Sequence, residues 1–151
     1  MSGRKRHLLV DTGGLVLKAI VHAANISDPQ GGQRLLEAIG DLAQMFPRLR
    51  YLWADMAYQG GFKDWVEQTL GWTVDVVKRP ARWVWVREGE EPPPVPTGFQ
   101  VLRRRWVVER TFGWLGRWRR LSKDYEYLPA TSECDIYLAM IRVMLRRLAE
   151  T

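Results

Sequence analysis

The chain has 151 residues, 46% hydrophobic and 26% charged, which is the profile of one globular domain large enough to bury a core. No apolar run is long enough to span a bilayer, no signal-peptide pattern follows the basic start MSGRKRH, and a single cysteine, Cys134, excludes an internal disulfide and a cysteine-built zinc cluster. Net charge is +6, yet residues 103–123 hold eight basic side chains against Glu109 alone, so the rest of the chain is close to neutral.

RHLLVD (6–11) reads as a strand, T-G-G as a turn and LVLKAIVHA (15–23) as the hairpin partner. Asp28-Pro29 is a helix start, with Asp at the N-cap. Leu35, Leu36, Ile39, Leu42, Ala43 and Phe46 then recur at helical spacing until Pro47. LRYLWAD (49–55) is a short apolar run ending in an acid, as a buried strand would be. Gly60 to Leu70 reads as a helix closed by Gly71, and WTVDVVKR (72–79) as another strand. Residues 80–100, with GEEPPPVPTG, read as a surface insertion within one domain. An amphipathic helix is expected over about 103–120, with Val108, Phe112 and Leu115 facing the sheet. A last helix starts near Thr131 or Ser132, where S-E-C-D has capping-box spacing, and Ile136, Met140 and Val143 place the Cys134 thiol in the core. The order β-β-α-β-α-β-loop-α-α is an α/β layout with one hairpin.

The segment RRRWVVERTFGWLGRWRR (103–120) carries seven arginines, three tryptophans and one acid. A positive excess confined to one element is the footprint of a phosphate-backbone binder, and arginine is suited to bidentate phosphate contacts. Glu109 reads either as an ion-pair partner of Arg105 or Arg110, or as a metal ligand. Gly113 and Gly116 flank it on one stripe and weaken the helix by about 1 kcal/mol each relative to alanine. They suit either close helix packing or the approach of a bulky polyanion. Asp55 sits at a strand's C-terminal edge, where open α/β sheets place ligand groups, although a cap or turn acid is equally common there. Tyr58 is either a core aromatic or a hydroxyl that orients that carboxylate. An acid at a strand end and an acid on a late basic helix suggest Mg²⁺-dependent phosphodiester chemistry, for which a third carboxylate is expected. Asp11 and Asp28 read better as a turn acid and a cap than as that third ligand, and His7 and His22 as strand side chains.

GRKRHLLVDTGG, HAANISD, WADMAY, VDVVKRP and RRWVVERTFGWLGRWRRLSKDYE resemble the catalytic region of bacterial insertion-sequence transposases of the DDE type, IS-five-like, from Gly3 to about Leu148. The resemblance implies a ribonuclease H-like α/β fold, a mixed sheet with a hairpin flanked by helices. It implies DNA strand cleavage and strand transfer at insertion-sequence ends with two Mg²⁺ ions, Mn²⁺ being a substitute. Asp55 matches the family's second catalytic aspartate, Glu109 its glutamate and Arg105 the arginine of its Y-R-E-K signature. Leu102 stands at the tyrosine place and Gly116 at the lysine place, with Arg117 beside it. Arg103, Arg104, Arg105, Arg110, Arg117, Arg119, Arg120 and Lys123 are the expected DNA contacts, Asp55 and Glu109 the expected metal ligands, and Tyr58 an accessory residue.

In the family the first aspartate lies on a strand upstream of GRKRHLLVD. That strand is central, between the hairpin and the strand of Asp55, so the fold is expected to be incomplete with two unpaired edges. The chain then reads as a C-terminal part or second reading frame completed by an upstream-frame product, as a decayed fragment, or as a mis-called start. Its partners would be terminal-repeat and target double-stranded DNA and further copies of itself, with no membrane and a cytoplasmic, nucleoid-associated location. The competing reading is a non-catalytic DNA-binding or regulatory remnant.

Overall fold

The computed structural model describes residues 3–77 and 104–150, with Arg87, Gly89 and Glu91 between them. The elements are β1 (Arg4–Val10), β2 (Val16–Ala23), α1 (Asp28–Glu37), α2 (Leu42–Met45), β3 (Tyr51–Asp55), a 3-10 turn (Met56–Tyr58), α3 (Gly61–Leu70), β4 (Thr73–Val77), α4 (Arg105–Gly116) and α5 (Pro129–Ala149). The chain is therefore α/β. The expected surface insertion at residues 80–100 lies almost wholly outside the described residues.

Side chains alternate across the β1–β2 hairpin, so it is buried on both faces. Leu9 joins Leu35, Leu36, Phe62, Val66 and Val74 in a core shared with α1, α3 and β4. Val16, Ala19 and Val21 join Leu115, Ile136, Ala139 and Met140 in a second core shared with α4 and α5. The hairpin is thus the middle layer between two layers of helices.

One mixed sheet was the expectation; among the described residues the strands form two separate two-stranded sheets instead. β1 and β2 are antiparallel, with Arg4 opposite Ala23 and a register shift between Leu9 and Val10. β3 and β4 are parallel, with Tyr51 opposite Thr73 and Asp55 opposite Val77. Among the described residues no strand pairs the outer edge of β1 or the outer edge of β3. The physical reason is that the two sheets are joined by side-chain packing around Leu9 and Val74 and share no hydrogen-bonded ladder.

Four further expectations are corrected. The helical run from Leu35 to Phe46 breaks at Gly40, whose φ of 79° is left-handed, and Asp41 then caps α2 by accepting from Gln44 N at 3.0 Å. Ser27, one residue before Asp28, is the N-cap of α1. α5 begins at Pro129, whose missing N–H makes it a favoured first-turn residue, while the Ser132 hydroxyl donates to Asp124 at 2.7 Å. Cys134 is exposed, because the buried line of α5 runs through Ser132, Ile136, Ala139 and Met140 and leaves position 134 on the far side.

α4 is also shorter than expected and rolled differently. It ends at Gly116, and its buried residues are Thr111 and Leu115, whereas Phe112 is exposed. Past its end the carbonyls are claimed by the first strand. Arg6 donates to Leu121 O at 2.6 Å and Lys123 O at 3.1 Å, and Arg4 donates to Glu126 O at 2.7 Å.

Candidate active site: two carboxylates on one guanidinium

β3 delivers Asp55 to its C-terminal end, where its two carboxylate oxygens have different partners. One carboxylate oxygen, Oδ1, caps the 3-10 turn by accepting from Ala57 N at 3.3 Å. The other, Oδ2, pairs with Arg105 Nη2 at 3.4 Å. Arg105 opens α4, and one turn later Glu109 Oε1 accepts from Arg105 Nε at 2.8 Å. A single guanidinium therefore draws together a strand-end acid and a helix acid 54 positions apart in the chain. Of the two readings of Glu109, the ion pair with Arg105 is the one observed.

Buried polar contacts with the hairpin turn fix α4. The fully buried Thr111 hydroxyl donates to Gly14 O at 2.6 Å, and Arg110 Nη2 donates to Gly13 O at 2.8 Å. Asp11 builds that turn, its Oδ1 accepting from Gly13 N at 2.8 Å and Leu15 N at 2.9 Å. These bonds make Asp11 a turn acid.

The basic residues divide into two groups. Arg117, Arg119 and Lys123 are exposed, with no acidic partner among the described residues. Arg120 is exposed but paired with Glu126 at 3.2 Å. Arg110 is turned inward between the rings of Trp106 and Trp114, at 4.3 and 4.8 Å, a placement that makes it part of the packing. Arg104 sits before α4 at a φ of 72°, uncommon for a residue with a side chain, and its guanidinium lies 4.5 Å over Trp53. Arg103 lies outside the described residues. Among the described residues nothing lies within 4 Å of a Cβ added at Gly113 or Gly116, so close packing against those residues does not account for them.

The Tyr58 hydroxyl lies 2.6 Å from His7 Nδ1; burial, then the charges of Asp28 and Asp55, raise its pKa above the ordinary phenol value. Sequence reasoning missed what stands beside Asp55: Tyr51 and Trp53 occupy the same face of β3, with ring centroids 4.7 Å apart. The signal was available in the period of two along a strand. An open cleft of about 820 Å³ runs from the end of β1 past β3 to α4 and is lined by Leu9, Leu52, Trp53, Asp55, Arg105 and Glu109.

Two exposed carboxylates sharing one cation are the right kind of donor for a hard divalent ion. Their number is short, since among the described residues no cluster of three or more metal-binding side chains occurs.

The sequence pattern of the family described as "Transposase DDE domain" matches residues 1–144, almost the whole chain. The chain is a member of the transposase DDE domain family. A relative described as a putative transposase for insertion sequence element IS402, from Burkholderia cepacia, is 28% identical over 145 residues. The match covers 93% of this chain and 60% of that protein, so the chain spans well under two thirds of its relative's length. No solved structure matches the chain. Among the described residues of this DDE-domain chain, no helix is long and apolar enough to cross a membrane.

Proposed function

We propose that the chain is the catalytic region of a DDE transposase with a ribonuclease H-like plan, cutting and joining DNA at insertion-sequence ends. The observation that carries this reading is the convergence of Asp55 and Glu109 on Arg105. Asp55 and Glu109 would hold Mg²⁺, or Mn²⁺ in its place. When bound, such ions polarise phosphodiester oxygens and clamp an in-line displacement. Arg117, Arg119, Arg120 and Lys123, with Arg103 and Arg104, hold the backbone of double-stranded DNA across the open face of α4, where Gly113 and Gly116 let it approach. Arg110 serves by anchoring the hairpin turn.

A third carboxylate arrives on a strand from outside the described residues, seated between the outer edges of β1 and β3. Unpaired edges on both sides of the cleft support that placement. An upstream-frame product or a second copy would supply it. The competing reading, a DNA-binding remnant without catalysis, is favoured by the absence, among the described residues, of a group of three or more side chains that could hold a metal; Asp11 also lines the cleft but is bonded into the hairpin turn.

The deciding experiment measures Mg²⁺-dependent nicking of insertion-sequence-end duplexes by this chain alone and by this chain together with the aspartate-bearing upstream segment. Nicking only in the mixture, lost in Asp55→Asn, supports the enzyme reading. DNA binding without nicking in either sample supports the remnant. Robust nicking by the chain alone would show that no external carboxylate is needed.

A further inference from the structure

We propose that Arg105 is an exchangeable counter-cation that couples metal binding to DNA binding. It holds Asp55 and Glu109 together until a divalent ion replaces it, and the released guanidinium is then taken by a DNA phosphate. This rests on the metal-site reading above and adds to it a direction of exchange.

The geometry is that of a stand-in cation. Arg105 Nε lies 2.8 Å from Glu109 and Nη2 lies 3.4 Å from Asp55, so one planar fork serves two acids from different elements. Its side chain is 17% exposed, whereas Asp55 is 45% and Glu109 58% exposed. The cation lies deeper than the acids it joins, and each acid keeps an open face towards solvent. A divalent cation that binds the two carboxylates competes with the guanidinium for them.

A divalent ion that takes both carboxylates strips Arg105 of both its acceptors. A largely buried cation left unpaired is costly. The nearest basic neighbour, Arg104, is held over Trp53 and repels it. Phosphate is the partner with matching geometry and opposite charge, and it approaches from the exposed face of the carboxylates. Each ligand therefore lowers the cost of the other. By linkage, DNA tightens metal binding by the same factor by which metal tightens DNA binding. The free chain holds its site closed with its own arginine, and nucleic acid opens it.

The test is Mn²⁺ binding to the intact chain, read as loss of the free-ion paramagnetic resonance signal, with and without a short duplex of unrelated sequence. In the wild-type chain the duplex tightens Mn²⁺ binding about 5-fold or more. In Arg105→Gln the free chain already binds Mn²⁺ tighter than wild type by a similar factor, and the duplex adds no further gain. Asp55→Asn and Glu109→Gln each abolish binding. Because Arg105 opens α4, Arg105→Lys is the second variant: an ammonium cannot fork to two acids, so its Mn²⁺ affinity lies between those of the other two. Binding that needs both acids but is equal in wild type and Arg105→Gln overturns the exchange and leaves the metal site standing. So does weaker binding in both arginine variants. Binding indifferent to Asp55→Asn and Glu109→Gln overturns both.

Discussion

His7 and His22 lie face to face across the β1–β2 hairpin, ring centroids 4.7 Å apart, and both point Nε2 at the backbone of Gly31 in α1. Both Nε2 atoms are buried without a hydrogen-bond partner among the described residues. Burial, then the neighbouring His22, pushes the His7 pKa down from 6.5 to about 4; Asp28 opposes this shift and Lys5 adds to it. Between those two values the unfolded chain binds a proton that the folded chain refuses. Stability is therefore fully present above pH 6.5 and is lost as pH falls towards 4, by about 3 kcal/mol at 1.36 kcal/mol per unit. Urea midpoints measured across that range should fall steeply in the wild-type chain and more gently in His7→Gln. Parallel pH profiles for the two would show that His7 is not the group responsible.

The same convergence makes Gly31 a position where size is decisive. An added Cβ would lie 2.4 Å from His7 Nε2 and 2.5 Å from His22 Nε2. Gly31→Ala is expected to cost about 1–3 kcal/mol through overpacking, despite the better helix propensity of alanine. Gly113→Ala meets no atom within 4 Å and should gain up to about 1 kcal/mol. If DNA approaches the backbone there, the more stable Gly113 variant binds duplex more weakly, and thermal melts beside filter binding separate the two effects.

Thr111→Val keeps the shape of a fully buried side chain and removes the donor to Gly14 O at 2.6 Å. The loss is expected to be about 1–3 kcal/mol, the cost of leaving a buried carbonyl unpaired. Since this bond seats α4 on the hairpin turn, amide exchange should also quicken at Gly13, Gly14 and along α4. Exchange confined to position 111 would argue against a seating role.

The inward and outward arginines should separate in one assay. Arg117→Ala and Arg119→Ala are expected to weaken DNA binding with no more than about 0.5 kcal/mol lost in stability, each lowering the magnitude of the salt slope by about 1. Arg110→Ala, which strips Gly13 O of a donor and empties a slot between two indoles, should destabilise the fold and leave the salt slope unchanged. A salt slope that moves only in Arg110→Ala would invert the assignment.

Much of this was legible because local rules sufficed. The hairpin and β4 follow from alternation and short apolar runs, and Gly71 ends α3 with a φ of 65° as a glycine C-cap should. β3 forms where its apolar run placed it but is not the buried strand expected, since Tyr51 and Trp53 are exposed and no residue of β3 is buried. Asp55 at a strand end and the spacing of Arg105 and Glu109 were readable from the chain. The sharing of Arg105 between them was not, because it joins a strand and a helix with no common periodicity. The course of the chain after α4 was hidden for the same reason: there Arg4 and Arg6 take carbonyls more than a hundred residues further on. Apolar spacing also placed Phe112 in the core. Instead the polar contacts of Arg110 and Thr111 set the roll of α4 and left Phe112 outside.

The hairpin turn at Gly13 and Gly14 is gripped by Arg110 and Thr111 of α4, with Arg147 Nη2 of α5 adding a bond at 3.4 Å. The grip from α4 spans 97 residues of sequence and the one from α5 spans 134. Contacts of such high order carry their loop-closure entropy before they return any stabilisation. Removing the hairpin turn would therefore take from α4 a seat made of contacts that close most of the chain's length, and α4 is the helix that carries both Arg105 and Glu109.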